Sequence, residues 1–357
     1  MARTGRPTLQ DVASRAGVSI GTASSVFSRH QPVAPRTREA VLCAAAQLNY
    51  QPRSRPAGSS VPGLTSVAVL ARPVHFPAEA NPFYSQVLLG VRRAAAELGI
   101  TVELEALNSA GTSAMNGTDK LPLLLLRREA VEGVLVFGRI SPRLMERILA
   151  TGVACVLVDH TIRELPVDSI RADDRLGAML ATEHLIKLGH REPVPALITG
   201  PHDLAPAADR NAGYRAALAA HGLQPDPQYI RQVPGADVFG ARQAMRQLLD
   251  LPKPPTAVYC WSDTAALGAL QSLRERRVAV PRQCSVIGYD DIDMAAVSTP
   301  ALSTVHVNRP LLGAQGLWHL VQRIRQPDLP RRITHVDVQL TVRATTAPPL
   351  RSALATR

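Results

Sequence analysis

Several polar and aromatic side chains stand directly after short apolar runs of the sequence, where a buried strand would end. These residues are Asp159, Trp261, Ser262 and Asp290. Planar polar groups such as carboxylates fix the orientation of hydroxyl groups, and an aromatic face packs against the apolar face of a ring. Residues of these types at the ends of strands therefore indicate a candidate binding site for a small molecule.

Two residues of this region have a structural alternative. An aspartate at the end of a strand often caps the helix that follows, so Asp263 is either a ligand contact or only a helix cap. Trp261 could equally lie in the core or in an interface, because large aromatic side chains bury area wherever they lie. The residue types alone leave both alternatives open.

The elements that must position these residues are predicted from the alternation of apolar runs with helical periodicity after residue 64. The predicted strands are 66–70, 101–107, 133–137, 153–159, 196–199, 230–233, 257–260 and 285–289. The predicted helices are 83–98, 142–151, 175–188, 211–221, 238–249 and 264–276. Such alternation is typical of parallel sheets covered on both faces, and two series of it predict two doubly wound lobes. Ligands of such sheets bind beyond the carboxyl ends of the strands.

The last third of the chain is predicted to connect the lobes more than once. Residues 303–306 and the helix 309–325 would return to the first lobe, and residues 333–342 would add a strand to the second. The body is therefore predicted at 64–346, with a first lobe at about 64–171 and 305–330 and a second at about 172–304 and 331–346. Residues 347–357 are polar and are expected to form a flexible tail.

The first fifty residues have a different pattern, that of a helix-turn-helix. Thr8 followed by Asp11 resembles a capping box, and Gly17 stands where a tight turn needs positive φ. Ser19 can cap a second helix, and a third is predicted from about Pro35 to Leu48. Helices joined by so short a turn place the second one in the DNA major groove. Its exposed positions are Ile20, Gly21, Thr22, Ser24 and Ser25.

Charge supports DNA binding over a small bundle that binds protein or nothing. Residues 1–60 contain eight arginines and two acidic residues, whereas the whole chain has a net charge of +11. More than half of the net positive charge therefore lies in one sixth of the sequence, which is the distribution expected of a DNA-binding segment.

These motifs resemble those of the LacI/GalR family of bacterial repressors. The resemblance rests on residues 8–13, 16–19, 37–38 and 48–52 of the headpiece, then on landmarks in the body at 81–84, 189–190, 210–214, 262–268 and 288–291. It implies an all-α headpiece (1–50), a hinge (51–63) and a two-lobed α/β body like that of periplasmic binding proteins. It also implies a homodimer on operator DNA that is regulated by a small-molecule effector, most often a sugar.

The resemblance also implies which residues form the two sites. The DNA contacts would be Thr8, Leu9, Ser19, Ile20, Gly21, Thr22, Ser24, Ser25, Arg29, Thr37, Tyr50, Arg53 and Arg55. The effector contacts would be Phe83, Tyr84, Asp159, Arg210, Trp261, Ser262 and Asp290, with Arg210 and Asp290 as the charged pair that holds ligand hydroxyls.

The sequence departs from the family pattern in both halves. Pro56 and Gly58 fall inside the expected hinge helix, and Ser59 replaces the leucine that wedges into the minor groove. Proline costs about 3 kcal/mol and glycine about 1 kcal/mol in a helix interior, so we predict a weak or absent hinge helix. Ser25 replaces an arginine of the recognition helix. Ser262 and Val307 replace polar residues of the cleft, which favours an effector different from lactose or galactose.

Other function classes fit the sequence less well. A sugar-binding protein without a regulatory role is the alternative, but residues 1–7 lack a secretory signal and a helix-turn-helix follows them. There is no phosphate loop, no nucleotide-binding glycine motif, no Gly-x-Ser-x-Gly elbow and no metal-ligand cluster, so we expect no catalysis, cofactor or metal. No apolar run is long enough for a membrane span, and the four cysteines lack metal or redox spacing. We expect a cytoplasmic bacterial protein, associated with the nucleoid when bound to its operator.

Overall fold

The computed structural model describes residues 8–28, 35–48, 64–72, 81–107, 120–126, 131–235 and 237–350. The predicted linker, with Pro56, Gly58 and Ser59, lies outside these residues, and so do Arg29, Tyr50, Arg53 and Arg55. The weak hinge helix and these four DNA contacts therefore stay predictions from the sequence.

The headpiece consists of three helices, α1 (Leu9–Ala16), α2 (Ile20–Ser28) and α3 (Pro35–Gln47). The predicted capping box is present, because the Thr8 hydroxyl accepts from the Asp11 backbone N–H and the Asp11 carboxylate accepts from the Thr8 N–H at 2.7 Å. Gly17 ends α1 in the left-handed region at φ 65°, as predicted for the turn. The sequence signals at both ends of α1 are thus confirmed.

A small apolar core joins the three helices. It contains Val12, Ala13, Ala23, Val26, Val41, Ala44 and Ala45. Each of the three predicted helices contributes to it, with Leu48 packed against its edge. The small residues let the helices approach closely, and they leave the other face of α2 for solvent or for a ligand.

The first lobe of the body is a six-stranded sheet covered by helices. Its strands are β1 (Ser66–Ala71), β2 (Thr101–Ala106), β3 (Gly133–Phe137), β4 (Ala154–Val158), β5 (Asp168–Ala172) and β11 (Ile333–Val336), in the order β11-β5-β4-β3-β1-β2. Its helices are α4 (Pro82–Leu98), α5 (Leu123–Leu126), α6 (Pro142–Leu149) and α12 (Arg309–Arg325). All strand pairs are parallel, as the alternation of apolar runs and helices predicts.

The second lobe repeats this plan with a four-stranded parallel sheet in the order β7-β6-β8-β9. Its strands are β6 (Ala196–Thr199), β7 (Ile230–Gln232), β8 (Ala257–Cys260) and β9 (Ser285–Ile287). Its helices are α7 (Asp174–Leu188), α8 (Ala205–Ala220), α9 (Val238–Leu249), α10 (Asp263–Glu275) and α11 (Asp293–Val297). An apolar core dominated by alanine, valine and leucine fills the space between the sheet and these helices.

Three crossovers connect the lobes, at residues 172–174, 307–309 and 336–338. Strand β10 (Thr304–Val307) pairs antiparallel with β12 (Val338–Thr341), so two of the crossing segments run side by side. The predicted return of the chain at 309–325 is confirmed: α12 packs on the first sheet, with Leu320 and Ile324 next to Gly133. Gly313 lets α12 approach α4, because a Cβ there would lie 1.9 Å from the Val87 carbonyl oxygen.

The structure differs from the predicted elements at four places. Residues 333–342 are not one strand of the second lobe: β11 pairs with β5 in the first sheet and β12 pairs with β10. Strand β5 was not predicted, because Asp168, Ser169 and Arg171 are polar and leave it without an apolar run. Helix α8 begins at Ala205 rather than at 211. Ala347, assigned to the tail, exchanges hydrogen bonds with the Ser285 hydroxyl and is therefore part of the second lobe.

Among the described helices, none is long and apolar enough to cross a membrane.

Candidate DNA-binding headpiece and effector cleft

The exposed face of the headpiece lies at the beginning of α2. Ile20 is 44% exposed although it is apolar, which leaves its side chain available to a partner. Ser19 caps the helix by accepting from the Thr22 N–H at 3.1 Å, and its hydroxyl also bonds that of Thr22. Both hydroxyls therefore remain at the N-terminus of the recognition helix, where backbone N–H groups favour phosphates.

Three further residues predicted to contact DNA can be placed in the described headpiece. Thr8 is exposed at the N-terminus of α1, Gly21 is exposed on α2, and Thr37 is partly exposed in the first turn of α3. Leu9, Ser24 and Ser25 lie within α1 and α2, and their side chains are outside what the structure describes. Two helix N-termini and the recognition face thus carry the predicted contacts that can be placed.

The candidate effector site of the body, which we call the cleft after the family pattern, is organised around Arg210, on the buried face of α8. Its Nε donates to Asp174 at 2.8 Å, its second terminal nitrogen lies 3.1 Å from Asp290, and its first donates to the Trp261 carbonyl. The guanidinium also stacks on Tyr289, 3.6 Å from the ring centroid. The predicted pair of Arg210 and Asp290 is therefore present, but a second carboxylate and an aromatic face also hold the arginine.

Tyr84 and Asp159 form the part of the cleft contributed by the first lobe. The Tyr84 hydroxyl donates to Asp159 Oδ2 at 2.7 Å, while Asp159 Oδ1 is buried without a hydrogen-bond donor among the described residues. Burial raises the pKa of Asp159 to about 7, and the Asp174 carboxylate adds to the rise. Asn81 caps α4 by accepting from the Phe83 and Tyr84 N–H groups, which fixes where the two rings lie.

The rings on this side form a small aromatic cluster. Phe83 meets Tyr84 edge to face with centroids 5.1 Å apart, and Tyr84 stacks on Phe137 at 5.9 Å. Phe83 and Tyr84 are both mostly buried, at 9% and 8% exposure. Phe83 and Tyr84 therefore lie where the family resemblance implies a wall of the effector site.

Asp290 belongs to a loop that buried Asp263 holds in place. Asp263 accepts from the Ile292 N–H at 2.9 Å and from the Thr304 hydroxyl at 2.5 Å, and burial raises its pKa well above the ordinary value. Asp263 is thus neither ligand contact nor helix cap: Ser262 caps α10 by accepting from the Ala265 N–H. Burial also raises the pKa of Asp290, to about 6, although Arg210 opposes the rise.

Trp261 lies against the cleft, with its ring over Gly200. A Cβ at Gly200 would lie 2.8 Å from the Trp261 ring, so glycine is required there. The ring centroid is 6.0 Å from the Arg210 guanidinium, and Nε1 is buried without an acceptor among the described residues. Trp261 is also 7% exposed and packs into the apolar core of the second lobe, so its position fits both the core alternative and a ligand contact through Nε1.

Sequence reasoning missed the acidic and basic residues that connect the lobes here. Arg171, from β5, contacts Asp174 at 3.2 Å and Asp209 of α8 at 2.7 Å. These residues were missed because β5 was missed. The double aspartate at 173–174, after an extended segment, was the one signal in the sequence that could have indicated them.

Arg309 lies at the third side of the cleft, where α12 begins. Its guanidinium donates to the Pro82 carbonyl of the first lobe at 3.2 Å and to the Asp291 carbonyl of the second at 2.8 Å. Arg139, after β3, pairs with Asp203, after β6, at 2.5 Å. Arg139 and Arg309 thus connect the first lobe to the second lobe next to the site.

Known proteins match both halves of the chain. Residues 8–53 match the family of "Bacterial regulatory proteins, lacI family", and residues 182–346 match the "Periplasmic binding protein-like domain". The ribose operon repressor of Escherichia coli K12 is 35% identical over 327 residues, 90% of this chain and 94% of that protein.

Two solved structures have the same fold over nearly the whole chain. One is the complex of the transcriptional regulator CelR with cellobiose (31% identity, TM-score 0.68), covering 95% of this chain and all of that one. The other is the lac repressor dimer bound to operator and an anti-inducer (27% identity, TM-score 0.68), covering 96% and 100%. These relatives are regulators of transcription and not enzymes. The resemblance found in the sequence is confirmed, and the chain belongs to the LacI family of bacterial transcriptional repressors.

Proposed function

We propose that this protein is a repressor that binds a pseudo-palindromic operator as a homodimer and is released by a small polyhydroxy effector in the cleft. The observation that carries the proposal is the cluster of Arg210, Asp290 and Trp261 in the body of a chain whose headpiece exposes a recognition helix. A paired guanidinium and carboxylate next to an aromatic face suits hydroxyl groups on a ring.

Relatives support the effector class. A regulator named for the ribose operon is 35% identical, and a structural relative is titled as a cellobiose complex. Ribose and cellobiose are therefore the first sugars to test. The Ser262 hydroxyl caps α10, so it is less available for hydrogen bonds to a ligand than the side-chain amide of an asparagine would be. Arg210, Asp290, Asp159 and Trp261 are the contacts that we expect to dominate affinity.

Exposed apolar side chains on the second lobe support a dimer. Phe239 of α9 is 72% exposed and Val297 of α11 is 71% exposed. Large apolar side chains in such positions are typical of interaction surfaces. A structural relative is itself titled as a dimer bound to its operator. A dimer on two half-sites would give the operator its two-fold symmetry.

Release of DNA requires a coupling free energy between the cleft and the headpiece. If the effector weakens operator binding, the operator must weaken effector binding by the same factor, because the coupling is reciprocal. Couplings of this kind are about 1–3 kcal/mol, or roughly 5- to 150-fold in affinity. We expect loss of operator affinity rather than gain.

The test is selection of genomic fragments with the purified full chain, followed by release with ribose or cellobiose. We expect a recovered palindrome with fixed half-site spacing, weaker binding by Ile20→Ala, and sugar-dependent release of the wild type. Arg210→Ala should bind the same operator within about tenfold, which is about 1.4 kcal/mol, but should not be released.

Two results would contradict the proposal in different parts. Binding that depends on salt and ignores sequence would favour a sugar-binding protein without a regulatory role. Full sugar response of Arg210→Ala would remove this residue from the effector site while leaving operator recognition intact.

A further inference from the structure

The side chains of the cleft contain more carboxylates than guanidiniums. Arg171 is shared between Asp174 and Asp209, and Arg210 between Asp174 and Asp290. The positive charges of two arginines are thus shared among three carboxylates. Arg309 adds a third guanidinium at the edge of the cleft, so an ionised Asp159 is the carboxylate that makes the sum of these charges negative.

Asp159 is the carboxylate without an ion pair among the described cleft residues. Its Oδ2 accepts from the Tyr84 hydroxyl, which is neutral, because burial raises the pKa of that tyrosine well above the ordinary value. Its Oδ1 is buried and has no donor within the described part of the chain. A buried carboxylate oxygen without a donor is costly, so this atom is a position that a ligand donor would satisfy.

An unused donor on the same cleft complements it. Trp261 Nε1 is buried without an acceptor, and Arg210, which contacts the Trp261 carbonyl, joins this residue to the carboxylate cluster. A hydroxyl group both donates and accepts, so a polyol could serve both atoms. A phosphate or carboxylate group accepts only, and it would bring another negative charge towards Asp159, Asp174 and Asp290.

The arginines near the cleft already bind oxygen atoms of the protein. Arg171 contacts two carboxylates, and Arg309 donates to two backbone carbonyls and lies 3.5 Å from Asp293. The Nε atoms of both are buried without acceptors among the described residues. An anion at either Nε would lie beside oxygen atoms that already accept from the same guanidinium, and these oxygens would repel it.

We propose that Asp159 selects the charge of the effector, so that the cleft binds an uncharged polyol and rejects the phosphate ester of the same sugar. This inference rests on the proposed effector site. It adds that the regulator responds to a sugar before phosphorylation, and that a kinase acting on that sugar would remove the signal.

The experiment is calorimetric titration of the full chain at pH 8, above the Asp159 pKa of about 7, with four probes: ribose, ribose 5-phosphate, cellobiose and cellobiose 6′-phosphate. For the wild type we expect at least one neutral sugar to bind about 100-fold more tightly than its phosphate. Asp159→Asn keeps the size of the side chain and removes the charge, and we expect it to narrow that ratio about tenfold. Asp328→Asn, at an exposed position on the first lobe, removes one charge away from the cleft and should leave the ratio unchanged.

Different failures point to different claims. A phosphate ester that binds as tightly as its sugar, or an unchanged ratio in Asp159→Asn with native circular dichroism, would overturn the charge selection. Failure of all four probes to bind, with operator binding intact, would contradict the sugar effector itself and the charge selection with it. Phosphate binding that is lost in Arg309→Met would identify Arg309 as an anion site and would also overturn the inference.

Discussion

Three aspartates of the cleft have a backbone conformation that side chains seldom adopt. Asp159, Asp290 and Asp291 lie at φ 62°, 107° and 53°. Such residues cost of order 1–3 kcal/mol each and persist only where their surroundings hold them. Here the Asp159 N–H donates to Ile170 and the Asp290 N–H donates to Val305, which ties these two aspartates to neighbouring strands. Their carboxylates bind Tyr84 and Arg210, whereas the Asp291 carboxylate pairs with Arg343.

Asp159 should also make the stability of the unliganded protein depend on pH. Its folded pKa of about 7 lies above the ordinary value of 3.8, so its contribution to stability is fully present below about pH 4 and is lost as pH rises through 7. The loss can reach about 4 kcal/mol. Chemical unfolding of wild type and Asp159→Asn between pH 4 and 8 should show the difference in free energy of unfolding shifting in favour of the variant.

The asparagine serves as its own control, because it cannot titrate. Groups that do not interact with Asp159 titrate alike in both proteins and cancel in the difference. Asp290 does interact with it, so removing the Asp159 charge also lowers the raised pKa of Asp290, which adds to the difference in the same direction. A difference that stays constant across this pH range would mean that Asp159 ionises normally in the folded state.

At the scale of elements, the sequence was sufficient wherever a local rule decides the structure. Helix α1 was predicted from Thr8 to Gly17 because capping and positive φ are local requirements. The bounds of α9 were predicted correctly because its apolar period is regular. Strand β5 was missed because its polar Arg171 is buried against Asp209, which is distant in sequence, as well as against nearby Asp174. The placement of β11 depends on a long-range parallel pairing, which no local pattern encodes.

The same distinction applies to the cleft. Arg210, Asp290 and Trp261 were found from their types and from the family resemblance, and the structure brings them together. The role of Asp263 could not be predicted, because its two hydrogen-bond partners come from the loop after β9 and from β10. The sequence identifies residues that could contact a ligand more readily than it identifies the residues that hold their loops in place.

The linker between headpiece and body is the element that departs most from the family pattern. Replacing Ser59 by leucine and Pro56 by alanine would supply the apolar wedge and remove a helix breaker worth about 3 kcal/mol. We expect this double variant to bind the selected operator more tightly, by about tenfold, in fluorescence anisotropy. Ser60→Leu with Pro56→Ala is the matched control, with the leucine one position further on. Equal affinities of wild type and the Ser59 variant would mean that this linker does not use a wedge.

At the scale of the whole molecule, the ion pairs between the lobes have one polarity. Arg139 and Arg171 of the first lobe pair with Asp203 and Asp209 of the second. Exposed pairs of this kind contribute up to about 1 kcal/mol and weaken with salt, whereas buried ones respond less. Closure of the lobes should therefore depend on ionic strength even when the effector is uncharged.

Pulsed electron paramagnetic resonance can measure this closure without an effector. Spin labels at Glu146 and Gln224, with Cys43→Ser to avoid labelling the headpiece, report the distance between the lobes. We expect the distance to lengthen between 0.05 and 1 M NaCl, and Arg139→Ala to lengthen it at low salt. Glu275→Ala breaks ion pairs with Arg242 and Arg246 inside the second lobe and should leave it unchanged. A distance that is insensitive to both salt and Arg139→Ala would contradict the electrostatic closure.

The place of β11 in the first sheet has a consequence for how the protein is made. The ribosome completes the headpiece first, and its own apolar core lies entirely within residues 12–48. The first lobe, in contrast, lacks an edge strand until residues 333–336 have been synthesised, long after the headpiece. A nascent chain could thus hold a finished DNA-binding unit while its sensor is incomplete. Truncated products would have the means to bind DNA without the means to be released, so the cell has reason to degrade them quickly.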